Sequence, residues 1–184
     1  MILFVGLGNP TPDSNNNRHN IGFKIIDAIN QKFSLSKQKP KFKGLLTMGN
    51  IGTEKVYAIK PLTFMNNSGT CIRELIEYFK INSSDIIVFH DDLDIEFGKI
   101  KTKFGGSDAG HNGIASLDKF IGKDYSRVRI GIGKPEKIKV NDFVLGDFNE
   151  EEKIILDEIS KKIISSLELL IEKKLNLFSS KING

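Results

Sequence analysis

Three histidines carry most of the acid–base chemistry available to this chain near neutral pH, and each stands in a polar segment. His19 lies in NRHNIGF (17–23), His90 opens HDDLD (90–94), and His111 lies in GGSDAGHNG (105–113). An imidazole changes charge near neutral pH, so His19, placed between a loop and a predicted helix, is a candidate general base. A capping or packing histidine at the same position is the structural alternative.

The carboxylates that follow His90 allow several kinds of site. One is a metal centre built from some of the following residues: His19, His90, Asp91, Asp94 and His111. Because neighbouring side chains of a strand point to opposite faces, Asp91, Asp92 and Asp94 cannot all face one ion. A single carboxylate that orients a histidine is the simpler hypothesis, and a turn closed by Asp side chains is the structural alternative.

Three asparagines, Asn9, Asn66 and Asn112, each stand beside a predicted turn or helix start. An amide offers donors and an acceptor without titrating, which suits holding a substrate carbonyl, a developing oxyanion or an attacking water. Asparagine at such positions also commonly bonds its own backbone.

Two further motifs point to chemistry only weakly. The segment GLGNPT (6–11) begins like a dinucleotide-binding loop, but Thr11 stands where the third glycine is required and no helix opens there. Cys71 is a possible nucleophile, yet it lies within the helical pattern TCIRELIEYF, where a small packed side chain is the simpler interpretation.

The elements that must position these residues alternate between strand and helix. Apolar or alternating patterns predict strands at 2–7, 45–60 (a hairpin turning at Gly52-Thr53), 85–94, 99–104 and 127–133. Helices are predicted after residue 19, around 69–79, at 113–121, and from Asn149, with Glu152 completing a capping box, to about 175. The segment 36–43 is interpreted as a basic connector.

This alternation predicts an α/β fold: a single domain spanning 1–184, with a mixed, mostly parallel sheet flanked by helices. The polar segments GLGNP, HDDLD and GIGKP each follow a predicted strand. Ligands of such sheets bind outside the carboxyl ends of the strands, so we expect these segments to meet at one edge.

Composition sets broader limits on partners and location. The chain has 184 residues, a net charge of +4 and a pI near 9.0, which is compatible with a polyanionic partner. A lone cysteine excludes an intramolecular disulfide and favours a reducing, cytoplasmic setting. No apolar run reaches the length of about 18 residues that a membrane span requires.

Six motifs, taken in order, resemble the bacterial-type peptidyl-tRNA hydrolases. They are GLGNP, RHNIGF, KPLTFMNNSG, HDDLD, FGKIKTKFGGSDAGHNG and RVRIGIGKP. The resemblance implies a monomeric α/β esterase, with no obligate protein partner and no metal or organic cofactor. Such an enzyme cleaves the ester between a peptidyl group and the terminal ribose of tRNA, which frees stalled tRNA for reuse.

The resemblance also implies roles for individual residues. His19 would activate water, Asp91 would orient His19, and Asn9 would complete the catalytic set. The residues implied to bind the peptidyl-ester end of the substrate are Asn66, Met65, Phe64, Asn112 and His111.

A basic clamp for the terminal phosphate of tRNA maps onto Lys101, Lys103 and Arg129. Here the strand pattern agrees independently, because Lys101 and Lys103 are two residues apart and share one strand face. Arg129 joins them if its strand is adjacent. The alternative is a solvated charged face without a ligand.

The chain departs from the family pattern mainly in one loop. Thr11 replaces a usual glycine, Ser14 a usual tyrosine and Asn17 a usual threonine, so a tyrosine contact in the pocket is not carried over. Ala109 replaces a common glycine before GHNG. Two other functions remain open as alternatives to this esterase. One is a metal-dependent hydrolase, and the other is a non-catalytic RNA-binding module that kept this fold.

Overall fold

A computed structural model describes residues 1–184. The chain forms one seven-stranded sheet with helices packed on both of its faces. The strand order is β2-β3-β4-β1-β5-β7-β6. The strands are β1 (Ile2–Gly6), β2 (Lys39–Lys41), β3 (Gly44–Ile51), β4 (Glu54–Pro61), β5 (Ile86–Asp92), β6 (Ile100–Phe104) and β7 (Ser126–Gly131). The helices are α1 (Ile21–Lys32), α2 (Ser68–Phe79), α3 (Asn112–Ile121), α4 (Val140–Val144), α5 (Glu150–Ser165), α6 (Leu167–Ile171) and α7 (Leu175–Asn183).

The four central strands, β4, β1, β5 and β7, run parallel, whereas β3, β2 and β6 pair antiparallel at the two edges. Every residue of β1 is buried, as expected for a continuous apolar strand covered on both faces. The predicted mixed, mostly parallel sheet is therefore confirmed, as is the β3–β4 hairpin turning at Gly52-Thr53.

Two apolar cores lie on the two faces of the sheet. The larger contains 24 buried residues and joins β1, β5 and β7 to α1 and to the C-terminal helices. The smaller contains 16 buried residues and joins the opposite face to α2 and α3. No helix is long and apolar enough to cross a membrane.

The C-terminal region differs from the single helix expected from 149 to 175. The capping box of Asn149 and Glu152 is present, and α5 packs its apolar face on the sheet as expected. The helical path breaks at Ser166 and again at Lys173, which adopts a positive φ of 61°. The last break turns α7 along the edge strand β6, where the Asn183 side chain hydrogen-bonds both the N–H and the C=O of Ile100. This segment thereby covers a strand edge that would otherwise expose unpaired backbone groups.

The segment 36–43 was wrongly interpreted as a connector, because residues 39–41 form the short edge strand β2. Its residues Lys39, Pro40 and Lys41 are exposed and have low strand propensity, so the sequence pattern gives little strand signal. Pairing with β3 supplies the missing stabilisation. Lysine and proline are also typical of edge strands, since they discourage pairing with another chain.

Candidate active site

His19 lies in a 3-10 turn, Arg18–Asn20, between the loop after β1 and the start of α1. The turn is tied to the region around α4: Arg18 N–H donates to Gly146 C=O over 3.0 Å, and the Arg18 guanidinium stacks on the Phe143 ring at 4.2 Å. These contacts hold a loop that the sequence alone leaves undefined. His19 is only 8 % exposed, so its ring lies within the molecule at the carboxyl edge of the sheet.

Asp91, near the end of β5, connects two histidines that are far apart in sequence. Its Oδ2 lies 2.8 Å from Nδ1 of His19, and its Oδ1 lies 2.8 Å from Nε2 of His111. The two imidazole rings lie 4.9 Å apart between centroids. The structure therefore brings together the predicted base, its predicted orienting carboxylate and a second histidine.

The charge state of Asp91 determines the role of each ring atom. Burial alone would raise the pKa of this carboxyl, but the imidazoles of His111 and His19 hold its pKa well below the usual range. An ionised carboxylate only accepts hydrogen bonds, so both histidines donate to it. His19 thus carries its proton on Nδ1, and its Nε2 lone pair is left to accept a proton from water.

His111 cannot play the same part, because its other nitrogen is already engaged. Nδ1 of His111 accepts from the backbone N–H groups of Gly113 and Ile114, over 3.1 and 3.2 Å, and so caps α3. A ring nitrogen that accepts two N–H groups holds no proton, so the proton of neutral His111 lies on Nε2 and points to Asp91. The His111 side chain thereby links the start of α3 to Asp91 in β5.

This tautomer also bears on the metal hypothesis. The only group of ligand-type side chains close enough to hold an ion comprises His19, Asp91 and His111. Both ring nitrogens of His111 are already committed to hydrogen bonds, and Nε2, the atom facing the group, carries a proton instead of a free lone pair. Binding a metal there would break the cap of α3, so this geometry fits a hydrogen-bonded cluster better than a metal centre.

The remaining members of HDDLD face elsewhere. Asp92 accepts from the N–H of Asp94 over 2.8 Å and pairs with Arg129, while Asp94 pairs with Lys134. His90 lies on the opposite strand face from Asp91 and contacts the Asp91 carbonyl oxygen over 2.8 Å through Nδ1. Burial and the neighbouring His111 lower the pKa of His90 to about 3, so it is neutral at physiological pH. The metal set suggested by the sequence is thus divided among different partners.

Asn9 is held by Asn20, a neighbour that none of the sequence motifs predicted as a site residue. The Asn20 amide accepts from Asn9 N–H over 2.8 Å and donates to Asn9 C=O over 2.9 Å. The side-chain oxygen of Asn9 in turn accepts from Met65 N–H over 2.8 Å. The Nδ2 group of Asn9 is therefore left to donate to a ligand. The pairing of His19 with an adjacent asparagine was the only sequence signal for Asn20.

Met65 connects these asparagines to the start of α3. A Cβ atom added to Gly113 would lie 2.5 Å from the Met65 sulfur, so glycine is required for this approach. Asn66 and Asn112 are exposed beside Met65 and Gly113, respectively. Phe64 is 52 % exposed and has a φ of 64°, which is strained for an aromatic residue. Of the predicted peptidyl-binding residues, Phe64, Asn66 and Asn112 are thus exposed, whereas His111 is half-buried and Met65 is buried beside Gly113.

The predicted basic clamp also forms a contiguous face. In the β6–β7 ladder, Lys101 lies opposite Arg129 and Lys103 lies opposite Arg127. Both lysines are exposed. Arg129 is partly neutralised, because its Nε donates to Asp92 over 2.9 Å. The strands β6 and β7 are neighbours, as the prediction of a shared basic face requires.

A cavity of about 540 Å³ lies at the carboxyl edge, between the loop 105–111 and the segment 134–144. Its lining includes His19, Asp91, Lys103, Arg127 and Arg129. The reactive end of a polyanion could therefore reach both the basic side chains and the His19–Asp91 pair. Arg127 was not selected from the sequence, since alternation alone cannot distinguish a ligand-binding arginine from a structural one.

The weaker motifs have structural explanations. Burial raises the pKa of the Cys71 thiol to about 12, which makes it a poor nucleophile at neutral pH. The close approach of α1 to β1 accounts for one glycine of GLGNPT, since a Cβ on Gly6 would lie 2.2 Å from the Gly22 carbonyl oxygen. In the loop that departs from the family pattern, the Thr11 and Ser14 hydroxyls hydrogen-bond each other over 2.7 Å.

A buried carboxylate that orients a histidine beside a cavity, at the carboxyl edge of a parallel sheet, is the arrangement of an α/β hydrolytic enzyme. The family model for peptidyl-tRNA hydrolase matches residues 3–184. The chain is 75 % identical to a peptidyl-tRNA hydrolase of Pelagibacter ubique, with both chains fully covered. It is 46 % identical to one from Chelativorans, covering 93 % of this chain and 72 % of the relative.

The solved structures agree with the sequence comparisons. The peptidyl-tRNA hydrolase of Acinetobacter baumannii superposes with a TM-score of 0.93 at 34 % identity, covering 100 % of this chain and 95 % of that one. This chain belongs to the peptidyl-tRNA hydrolase family.

Proposed function

We propose that this enzyme hydrolyses the ester bond between the peptidyl group and the terminal ribose of peptidyl-tRNA. The observation that carries the proposal is the 2.8 Å contact between Nδ1 of His19 and the ionised Asp91, which leaves Nε2 of His19 as a base beside the cavity. Membership of the family supplies the substrate class.

In the proposed reaction, Nε2 of His19 takes a proton from water as the water oxygen bonds to the ester carbonyl carbon. Asp91 stabilises the imidazolium that forms, because the carboxylate already accepts its Nδ1–H. The carbon–oxygen bond to the ribose then breaks, and the ribose oxygen takes the proton from His19. The products are the free peptide acid and tRNA, and no covalent enzyme intermediate is required.

The amide groups provide the remaining contacts. The free Nδ2 donors of Asn9 and the exposed amides of Asn66 and Asn112 would hold the ester carbonyl and the peptide backbone. Met65 and Phe64 would form the apolar wall beside them. His111 would act indirectly, by fixing the position of the Asp91 carboxylate relative to the start of α3.

Lys101, Lys103 and Arg129 would bind the terminal phosphate of the tRNA. Their position on one face near the cavity supports this role, since it allows a phosphate to be fixed while the ester lies at His19. We further infer that the enzyme acts in the cytoplasm as a monomer without an obligate protein partner, a setting in which its substrate is formed.

The direct test is cleavage of purified peptidyl-tRNA, assayed with and without a chelator. The proposal predicts turnover that a chelator leaves unchanged. Loss of turnover on chelation with recovery on adding a divalent ion would establish the metal-dependent alternative. Binding of tRNA without any turnover would establish the RNA-binding alternative.

A further inference from the structure

Arg127, in β7, makes contacts that distinguish it from the other basic residues of the cavity. Its side chain is 3 % exposed. Nη1 donates to the carbonyl oxygen of Ser107 over 2.6 Å, and Nη2 donates to that of Gly106 over 3.1 Å. Nη2 also meets Asp118 Oδ1 at 3.1 Å, so the charge is compensated within the protein. One guanidinium therefore joins the sheet, helix α3 and the loop 105–111.

That loop carries His111 and has an unusual backbone. Gly105, Gly106 and Gly110 have φ values of 70°, 95° and 81°, and Ala109, which is not a glycine, has a φ of 47°. Glycine-rich backbone has many accessible conformations, and a left-handed alanine is disfavoured in the absence of outside contacts. The two carbonyl groups bound by Arg127, those of Gly106 and Ser107, lie within the first half of this stretch, so the arginine restricts its conformation there.

We propose that Arg127 is a positioning residue for the hydrolysis reaction. By hydrogen-bonding the carbonyl groups of Gly106 and Ser107, it fixes the conformation of the loop 105–111. That loop places His111 against Asp91 and Asn112 beside the substrate. The inference rests on the proposed function. Arg127 acts through the loop, and His111 then fixes the carboxylate that orients His19.

A phosphate-binding role for Arg127 fits the structure less well. Both terminal nitrogens already donate to protein oxygens, and Asp118 offsets the positive charge. Arg129, by contrast, has a side chain that is 25 % exposed. A phosphate would have to displace buried hydrogen bonds at Arg127, each of which costs free energy to break.

The first test compares Arg127→Lys with a matched control, Tyr125→Phe. Lysine keeps the charge but has a single nitrogen in place of the planar fork whose Nη1 and Nη2 separately reach Ser107 and the Gly106–Asp118 pair. The Tyr125 hydroxyl donates to the same Asp118 oxygen over 2.8 Å and bonds neither loop carbonyl, and Tyr125 is buried like Arg127. Phenylalanine removes this hydroxyl but keeps the ring that lies against the Arg127 guanidinium. We expect Arg127→Lys to lower kcat about 10–100-fold on both peptidyl-tRNA and a small peptidyl ester, since a small misplacement of reacting groups has effects of that order. KM for peptidyl-tRNA should stay within about twofold, and Tyr125→Phe should keep kcat.

Two outcomes would overturn the proposal. A raised KM for peptidyl-tRNA with normal kcat on the small ester would make Arg127 part of the phosphate clamp. Equal kcat losses in Arg127→Lys and Tyr125→Phe, with equal falls in melting temperature, would make it a general structural residue.

A second variant alters the same contact, between Arg127 and the loop 105–111, by changing a loop residue. Gly106→Ala places a side chain where φ is 95°, so the backbone bound by Arg127 must shift while the arginine stays. On the small ester, Gly106→Ala should lower kcat like Arg127→Lys, and the double variant should be no worse than the more impaired single one. Additive losses of kcat in the double variant would show that Arg127 and Gly106 do not act through the same contact. If Arg127→Lys does not fold, Gly106→Ala alone tests the proposal.

A readout that needs no catalysis separates this inference from the proposed function. In ¹⁵N NMR spectra, wild-type His111 should show a fixed tautomer with the proton on Nε2. Arg127→Lys should shift it towards an average of both tautomers and speed amide exchange at Gly113 and Ile114, whereas Tyr125→Phe should not. An unchanged His111 spectrum in Arg127→Lys would refute the positioning role even if the wild type proved to be an esterase.

Discussion

In the proposed function, the cluster around Asp91 and the basic face of β6–β7 both act on a charged substrate, but the protein holds their side chains in opposite ways. Asp91 is 2 % exposed, and both of its oxygens are bonded to imidazoles. Lys101 and Lys103 are exposed and form no ion pair within the protein. Reaction chemistry requires fixed atoms, whereas phosphate attraction works over several ångströms and tolerates mobile side chains. The difference predicts that changes in the cluster affect kcat and changes on the face affect KM.

The largest effect should follow replacement of His19. His19→Ala removes the proposed base, and loss of a general base typically lowers the rate about 10²–10⁴-fold. Affinity for tRNA and the melting temperature should change little. Steady-state kinetics, tRNA binding and thermal unfolding of the purified variant provide the check, and a folded variant with half of the wild-type turnover would remove His19 from the mechanism.

Asp91→Asn should have the next largest effect and should exceed both Asp92→Asn and Asp94→Asn in its loss of kcat. An amide at position 91 cannot accept from both imidazoles with both of its polar atoms, so one histidine loses its fixed tautomer. Asp92 and Asp94 are matched controls in the same segment, paired to Arg129 and Lys134. Equal losses at all three positions would indicate a cluster that acts as a unit, such as a metal site.

The basic face should show a smaller effect, of a different kind. Lys101→Ala and Lys103→Ala should each raise KM for peptidyl-tRNA several-fold, about what one exposed phosphate contact contributes, with kcat nearly unchanged. Each should also flatten the log–log salt dependence of tRNA binding by about one unit. Arg129→Ala is a less clean test, because it leaves the Asp92 carboxylate without its cation.

A small peptidyl ester without the tRNA body is the control for the lysine variants. It should be cleaved equally well by wild type, Lys101→Ala and Lys103→Ala. Lower kcat on this ester would show that the two regions are not separate, and that the lysines support the chemistry or the fold.

The smallest effect on activity is expected at His90, whose contribution is to stability. Its folded pKa of about 3 lies below the ordinary value of 6.5, so below pH 6.5 the unfolded chain binds a proton that the folded protein does not. The free energy of unfolding should therefore fall as pH drops from about 6.5 towards 3, by at most about 1.4 kcal/mol per pH unit from this residue. This stability is fully present above pH 6.5.

Denaturant unfolding of wild type and His90→Phe across this pH range measures the contribution. The variant should show a shallower loss of stability between pH 6 and 4, while kcat near neutral pH stays close to wild type. Asp91 adds its own loss only at lower pH, since its folded pKa lies below that of an ordinary carboxyl near 4. Identical slopes in the two proteins would show that His90 binds a proton as readily folded as unfolded.

Local patterns in the sequence determined most of the sheet and the candidate residues. The continuous apolar runs of β1 and β5, the alternation of β6, and the capping box at Asn149 are short-range signals that survive in the fold. The placement of Lys101 and Lys103 on one face follows from strand geometry alone. Residue type and position made His19 a candidate base, while the choice of His19 over the alternatives and of Asp91 as its carboxylate rested on family resemblance; their 2.8 Å contact is consistent with it.

Only the tertiary structure decided how those residues act on one another. Three interactions join segments that are distant in sequence, and no sequence pattern predicts them. They are the contact between His111 and Asp91, the hydrogen bonds between Asn20 and Asn9, and the hydrogen bonds of Arg127 to the loop 105–111. The break after α6 and the strand β2 likewise depend on the sheet edges they cover or extend. Long-range hydrogen bonds are selected by the packing of whole elements, and so the tautomer of each histidine, and with it the choice of base, emerges only once the chain is folded.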